Sequence, residues 1–321
     1  MSTRLPRRIL LLALVLFPGA LGAQNVFRLS APPGGIYANA SFEQTALVTV
    51  EVTIEHSGDA VPDWFLGATA GNGTYATREL AGSLPGSTLG YQLFPSEPDG
   101  STPILAGPDL TGFDATNVIT SNAFDTPTAA GVSRFETFLV YYEIPADQFT
   151  ASGEYTDTID LVLYSGVPGD SGTHTLEDSA TVSVTGRMAR LVDLLAVQES
   201  GIRTMDLTIP VSDRLLATVH ERSNADTGYE VSITSANLAA DASETEPFFR
   251  NSSGNGLLPY SLTYGGAAAS VWTDGTALVT DTTGTAGPDW LTRDLRISYT
   301  GSPDLPAGDY EDRLIITITA K

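Results

Sequence analysis

The sequence predicts an all-β protein of two tandem immunoglobulin-like β-sandwich domains that follow a signal peptide. Three observations favour this fold. Strands of alternating apolar and polar residues recur along the chain, clusters of Gly, Pro, Ser, Asn and Asp separate them, and one strand motif occurs twice. That motif reads GEYTD at 153–157 and GDYED at 308–312, and an alternating apolar strand follows it each time.

Nine segments show the period-two alternation that is typical of half-buried strands. They are residues 46–56, 88–94, 136–144, 155–164, 179–186, 229–236, 258–265, 294–301 and 312–320. Two further segments, 188–200 and 212–223, fit either a helix or an irregular strand. The chain is therefore predicted to be mostly β, with turns formed by the clusters between the strands.

The two motif copies are offset by 155 residues (308 − 153), and the match continues upstream in the same order. LGYQLF at 89–94 resembles LPYSLTY at 258–264, which pairs Tyr91 with Tyr260. A repeat of this length indicates tandem domains, because solenoids repeat in far shorter units. We expect a signal peptide at 1–23, a first domain at 24–177 and a second domain at 178–321.

The glycine of each motif suits a tight turn that enters the strand, and the acidic residue beside it suits an exposed corner. The following Tyr155 and Tyr310 are predicted to cover the end of each sandwich. Their hydroxyl groups should reach a backbone partner, as in a tyrosine corner. The motif is thus interpreted as structural rather than ligand-binding.

The first 23 residues contain three Arg, then an apolar run from Ile9 to Phe17, then the small residues Ala20, Gly22 and Ala23. This pattern predicts a secretory signal peptide, since the apolar run is too short to span a bilayer. No later segment is predicted to enter a membrane. We expect an exported protein in the periplasm, at the cell surface or outside the cell.

The chain is strongly acidic, with a formal charge of −22, or −25 once the three signal-peptide Arg are removed (−22 − 3). Such a charge excludes a general nucleic-acid binder, because phosphates would be repelled. The chain contains no Cys, which excludes thiol catalysis and zinc bound by Cys.

No catalytic, cofactor-binding or metal-binding residue is predicted. GDSG at 169–172 resembles the nucleophile string of a protease, but it lies in a short connection between strands, so Ser171 is interpreted as a loop residue. His56, His174 and His220 lack the spacing of metal ligands. The protein is therefore predicted not to be an enzyme.

Two kinds of binding site remain open as alternatives. Acidic loops at 97–100, 107–114 and 221–228 carry oxygen ligands that calcium prefers, although none has the EF-hand spacing. The three Trp, at 64, 272 and 290, lie near turns, where they either pack on a sandwich edge or form a carbohydrate platform. The alternative function is a monomeric extracellular binding module for carbohydrate or calcium, with its site in the long loops of 95–130.

Several features of the second half occur together: a YEVSITSAN strand, an L-x-Y-x-L strand, a VWTDGTA turn and a final strand that begins G-x-Y-x-D. Their residues are Tyr229, Asn237, Tyr260, Leu262, Tyr264, Trp272, Gly308, Tyr310, Asp312, Ile316 and Ile318. The first half has Tyr91, Gly153, Tyr155 and Asp157 at the equivalent positions. Residues 178–321 thereby resemble the spore coat protein U domain, the pilin-type domain of archaic chaperone–usher fimbriae, with 179–197 similar to the start of that domain.

The resemblance implies a sandwich that ends one strand early, with the missing strand supplied by a chaperone or a like subunit through β-strand addition. We therefore expect a non-enzymatic surface or fimbria-like structural or adhesive protein. Alternation places Leu314, Ile316 and Ile318 on one face of the last strand, and this face is predicted to line the groove. In one alternative, 179–197 closes the second domain within the same chain.

Overall fold

The computed structural model describes residues 25–99, 104–107, 114–170, 172, 174–200, 205–283 and 289–321. The predicted signal peptide, Ser171 and parts of the 95–130 loops lie outside these ranges. The described chain is almost entirely β, as predicted, and it contains two sandwiches with separate hydrophobic cores.

The first sandwich contains nine strands, most of which alternate between buried and more exposed residues. They are β1 (Val26–Ser30), β2 (Ile36–Ala40), β3 (Ala46–Ser57), β4 (Trp64–Ala68), β5 (Arg78–Gly82), β6 (Thr88–Phe94), β7 (Arg134–Ile144), β8 (Gly153–Ser165) and β9 (Thr175–Met188). Their order in the sheet is β1-β3-β7-β6-β5-β8-β9-β2, and β4 pairs with β8 off this path. The strand β4 is buried throughout.

The first two strands lie at opposite ends of this order although a short turn joins them. The strand β1 pairs antiparallel with β3, whereas β2 pairs parallel with β9. The chain thus crosses from one layer to the other at its start, as the first strand of an immunoglobulin-like sandwich does. The last strand, β9, pairs with β8 along its whole length, so the first sandwich is completed by its own chain.

The second sandwich contains the remaining strands. They are β10 (Val192–Gln198), β11 (Val211–Ser223), β12 (Tyr229–Ser235), β13 (Phe248–Asn251), β14 (Leu257–Pro259), β15 (Ser261–Tyr264), β16 (Ala267–Ala268), β17 (Trp272–Thr273), β18 (Thr276–Asp281), β19 (Leu291–Tyr299), β20 (Tyr310–Glu311) and β21 (Leu314–Ala320). One short helix, α1 (Ala236–Ala240), follows β12, and Ser235 caps it by accepting the N–H of Leu238.

Two layers and a small side sheet make up this second unit. One layer has the order β10-β11-β19-β15-β16, the other has the order β17-β18-β12-β21, and β14-β13-β20 form the side sheet. Its core is built around Val219, Val231, Ile233, Leu262 and Ile297, all buried. The two segments that fitted either helix or strand are strands β10 and β11.

The structure divides the predicted connection between the sandwiches. Residues 179–188 lie in β9 of the first sandwich, while 192–198 form β10 of the second. The interpretation in which 179–197 closes the second domain is therefore wrong, because its first half pairs with β8 instead. The predicted division at 177/178 falls inside β9, and we propose 189–191 as the boundary.

One buried residue, Asn224, joins the two sandwiches at this boundary through its side chain and its backbone. The Asn224 carboxamide accepts the N–H of Leu191 at 2.6 Å and donates to the Ala189 carbonyl at 2.9 Å. The backbone carbonyl of Asn224 accepts the N–H of Ser152, in the first sandwich, at 2.8 Å. The neighbouring Arg222 stacks over the ring of Phe42, also in the first sandwich. These contacts hold the connection against both units.

Candidate functional site

The candidate site is the outer edge of β21, the last strand of the second sandwich. Among the described residues β21 pairs with β12 alone, from Leu314 opposite Ser235 to Ala320 opposite Tyr229. By contrast, β8 of the first sandwich has β4 and β5 on one side and β9 on the other. One long edge of β21 thus has no paired strand within the described chain.

The backbone groups on that edge follow from the pairing pattern. The Lys321 N–H bonds to the Gly228 carbonyl and the Ala236 N–H bonds to the Arg313 carbonyl, both toward β12. Hydrogen-bonded and non-bonded positions alternate along an antiparallel pair. The backbone N–H and C=O groups of Leu314, Ile316 and Ile318 therefore point away from β12, toward the open edge.

The side chains of β21 alternate as the sequence predicted. Leu314, Ile316 and Ile318 are half-buried and pack against the second core, whereas Ile315 is 42% exposed on the opposite face. The predicted inward face is confirmed. The strand consequently presents free backbone groups and an incompletely covered apolar face at the same residues.

An apolar groove of about 330 Å³ runs beside this edge. Leu314 and Ile316 form one wall, Ala196 and Gln198 of β10 form the other, and the floor is contributed by β11, β19, the side-sheet strand β13 and the residue between β14 and β15. The floor residues are Leu216, Ala217, Phe249, Tyr260, Leu295 and Ile297. Because β10 pairs only with β11 among the described strands, both walls of the groove are sheet edges.

The predicted tyrosine corners are confirmed in both sandwiches. The hydroxyl of Tyr155 donates to the Ala151 carbonyl at 2.7 Å, and that of Tyr310 donates to the Pro306 carbonyl at 3.0 Å. In each case the acceptor lies four residues upstream. The preceding Gly153 and Gly308 have φ angles of 141° and 148°, a region that residues with a Cβ rarely adopt.

The aspartate of each motif anchors a buried tyrosine, a role that the sequence analysis did not assign. The Asp157 carboxylate accepts the Tyr91 hydroxyl at 2.6 Å and the Asn72 N–H at 3.1 Å. Equivalent bonds join Asp312 to the Tyr260 hydroxyl and to the Asn237 N–H, the latter at 3.0 Å. The pairing of Tyr91 with Tyr260 in the sequence was the available signal.

These tyrosines make the stability of both sandwiches sensitive to alkali. Burial, followed by the adjacent carboxylate, raises the pKa of Tyr91 and of Tyr260 well above their ordinary value of 10.0. A folded-state pKa above the unfolded one means that the stabilisation is complete below pH 10 and is lost as the pH rises further.

We expect the free energy of unfolding to be level from pH 7 to 9 and to fall above pH 10. The slope should be about 1.4 kcal/mol per pH unit for each such tyrosine. Urea unfolding at pH 8 to 11.5 measures it. Tyr260→Phe should reduce the slope for the second sandwich, whereas an unchanged slope would contradict this assignment.

Two further buried ionic residues were not predicted from the sequence. Glu221 is fully buried in the second sandwich and accepts the hydroxyls of Tyr229 and Tyr264. Arg78 is fully buried in the first sandwich and donates to the carbonyls of Leu105 and Thr69. Neither residue follows a recognisable motif, since each lies in an ordinary alternating strand.

The structure does not bring the candidate histidines together. His56 is buried beside the rings of Phe27 and Phe124, and its Nε2 lies 2.7 Å from the Asp59 carbonyl. His174 contacts Phe65, and His220 contacts Trp290. No group of three or more His, Asp or Glu side chains in the described ranges is placed to hold a metal ion.

Trp64 and Trp290, which each follow a Pro-Asp pair in the sequence, differ in their surroundings. Trp64 is fully buried in the first core and donates its indole N–H to the Ser121 carbonyl, whereas Trp290 is 41% exposed and stacks on Arg222. Trp272 is half-buried against the second core. Among these three residues no exposed aromatic platform is formed.

Comparisons with known proteins give structural likenesses only. No family model and no curated protein sequence matches the chain. A chain of the CsuC–CsuE chaperone–tip adhesion subunit complex from Acinetobacter baumannii matches with a TM-score of 0.40 at 12% identity, covering 90% of this chain and 99% of its own length.

A variant of CfaE, the adhesin of CFA/I from enterotoxigenic Escherichia coli, matches with a TM-score of 0.38 at 10% identity. That match covers 91% of this chain and 94% of the CfaE chain. At such identities and TM-scores neither likeness assigns a family or an activity to this chain. None of the helices in the described residues has the length and apolar character needed to cross a bilayer.

Proposed function

We propose that the chain is an exported, non-enzymatic structural or adhesive subunit of a fimbria-like assembly. Its second sandwich is completed by a β-strand from a partner, either a chaperone or a like subunit. The observation that carries this proposal is the open edge of β21, where outward backbone groups and half-buried apolar side chains coincide at Leu314, Ile316 and Ile318.

The second sandwich should bind a partner strand because its unpaired strand edge and its water-exposed apolar groove are both unfavourable. An uncovered strand edge pairs readily with other chains, and natural proteins cover or blunt such edges. An added strand would satisfy the outward N–H and C=O groups and remove the apolar groove from water. The first sandwich supports this view, because β9 already fills the corresponding place beside β8.

The shared features of the two sandwiches support the predicted duplication. Both contain a glycine at positive φ, a tyrosine corner and an aspartate that binds a buried tyrosine. The pair Asp157 and Tyr91 corresponds to Asp312 and Tyr260. We therefore propose that the sandwiches are two copies of one module, of which the second has no strand on the outer edge of β21 among the described residues.

The test supplies a strand for the outer edge of β21 within the same chain. A copy of residues 177–188, which reaches the partner position of Ile318, is attached after Lys321 through a flexible linker of about ten residues, long enough for the strand to turn back along β21. Amide hydrogen exchange is then measured at Leu314, Ile316 and Ile318. We expect fast exchange of these three amides in the unmodified chain and slow exchange in the extended one.

A matched control carries Asp at the two positions of the attached copy that correspond to Val182 and Val184. This strand has the same length and linker but cannot bury its inward face, so it should not slow exchange. Slow exchange of the three amides in the unmodified monomer would contradict strand addition. That result would favour the alternative of a strand-complete binding module.

A further inference from the structure

The groove beside β21 is apolar at one end and acidic at the other. A second cavity of about 730 Å³ continues from the apolar groove, and the two share Gln198, Met205, Phe249 and Asp312. Four carboxyl side chains line this second cavity, and the described residues of its lining include no Lys, Arg or His. They are Asp206, Asp309, Glu311 and Asp312.

Within the described ranges, these four carboxylates form no ion pair of their own. Arg250 lies opposite Glu311 in the sheet register, but its guanidinium is paired with Asp241 at 2.6 Å. Asp312 accepts bonds from Tyr260 and Ser235, which carry no charge. Asp309 and Glu311 are exposed at the mouth of the cavity. A strand that enters here meets a negative potential.

The first sandwich shows how a strand occupies the corresponding place. The strand β9 runs antiparallel to β8, with Val184 opposite Asp157 and Val182 opposite Ile159. Both valines are buried. Further along β9, the exposed Arg187 lies opposite Glu154, which is the acidic residue of the first GEYTD motif. Asp309 holds the same motif position in the second sandwich.

We propose that the partner strand runs antiparallel to β21 and carries a basic residue, Arg or Lys, beside Asp309. Two alternate apolar side chains precede that residue and enter the groove next to Leu314 and Asp312. The occupant is thus an apolar strand that ends in a positive charge. This inference rests on the proposed function, which requires a strand but does not specify its direction or charge.

The test uses the full chain and a fluorescently labelled peptide of residues 179–188, SATVSVTGRM. The first sandwich already holds its own β9, so the open site is the groove beside β21. Binding is followed by anisotropy at low and at high salt. We expect the peptide with Arg187→Glu to bind about tenfold more weakly at low salt, and the difference to shrink in 1 M NaCl because salt screens exposed charges.

A charge-exchange variant shows whether charge or packing causes the change in peptide binding. In the Asp309→Arg protein the Arg187→Glu peptide should bind at least as tightly as the unmodified peptide. Equal binding of both peptides to the unaltered chain would contradict the inference and leave strand addition intact. A complete lack of peptide binding would contradict the inference. Slow exchange of the Ile316 amide in the free chain would contradict both the inference and the proposed function.

Discussion

Replacing Asp312 with alanine is expected to lower the free energy of unfolding of the second sandwich by about 3 kcal/mol. The carboxylate accepts four donors: the hydroxyls of Tyr260 and Ser235, and the backbone N–H groups of Asn237 and Arg313. The Tyr260 side chain is buried, so its hydroxyl would lose its acceptor without gaining free access to water. The loss therefore includes desolvation as well as hydrogen bonds.

Chemical denaturation followed by far-ultraviolet circular dichroism measures this loss. Asp309→Ala is the matched control, because Asp309 lies in the same turn but is exposed, and it should change stability by less than about 0.5 kcal/mol. Asp157→Ala should destabilise the first sandwich by a similar amount, through Tyr91 and Asn72. Equal stability of the Asp312 and Asp309 variants would show that the carboxylate is not an anchor.

The sequence predicted the β class and the inner face of β21 because both depend on local alternation. The eight unbroken segments of that pattern coincide with strands, and the ninth, 258–265, is interrupted at Tyr260 between β14 and β15. The tyrosine corners were predictable for the same reason. A hydroxyl that bonds only four residues upstream requires a turn and a ring, and both are encoded within one motif.

Contacts between distant segments could not be predicted in this way. Two strands that begin with a pair of aromatic residues have different partners: β4, which begins at Trp64, pairs with β8, whereas β13, which begins at Phe248, pairs with β14 and β20. The division of 179–198 between two sheets depends on which edge accepts each strand. Apolar residues alternate in β9 but not regularly in β10, and neither pattern states which sheet the strand joins.

Charged side chains that are buried are a second class of feature that the sequence did not disclose. Alternation places residue 221 on the inward face of β11, and a carboxylate there would normally indicate a wrong register. It is tolerated because Tyr229, Tyr264 and Arg293 converge on it from three other segments. Such convergence is visible only once those segments are assembled.

Replacing Glu221 with alanine is expected to destabilise the second sandwich by about 3 kcal/mol or more, because it removes one member of a buried network. The change would leave the hydroxyls of Tyr229 and Tyr264 without their acceptor. It would also leave the Arg293 guanidinium, whose Nε lies 3.3 Å from the carboxylate, without its ion pair. Denaturant unfolding measures the loss, and Glu246→Ala, at an exposed position of the same sandwich, is the control.

The Glu221→Gln variant tests the negative charge of Glu221 separately from the loss of side-chain volume in the alanine variant. Burial, then the hydrogen bond and charge of Glu221, raise the pKa of Tyr229 and Tyr264 above the ordinary value of 10.0. The neutral amide keeps the volume but removes the negative charge, so both pKa values should fall toward that value. Absorbance titration of tyrosinate above pH 9 detects the shift. Unchanged titration together with unchanged stability would mean that Glu221 does not hold these tyrosines.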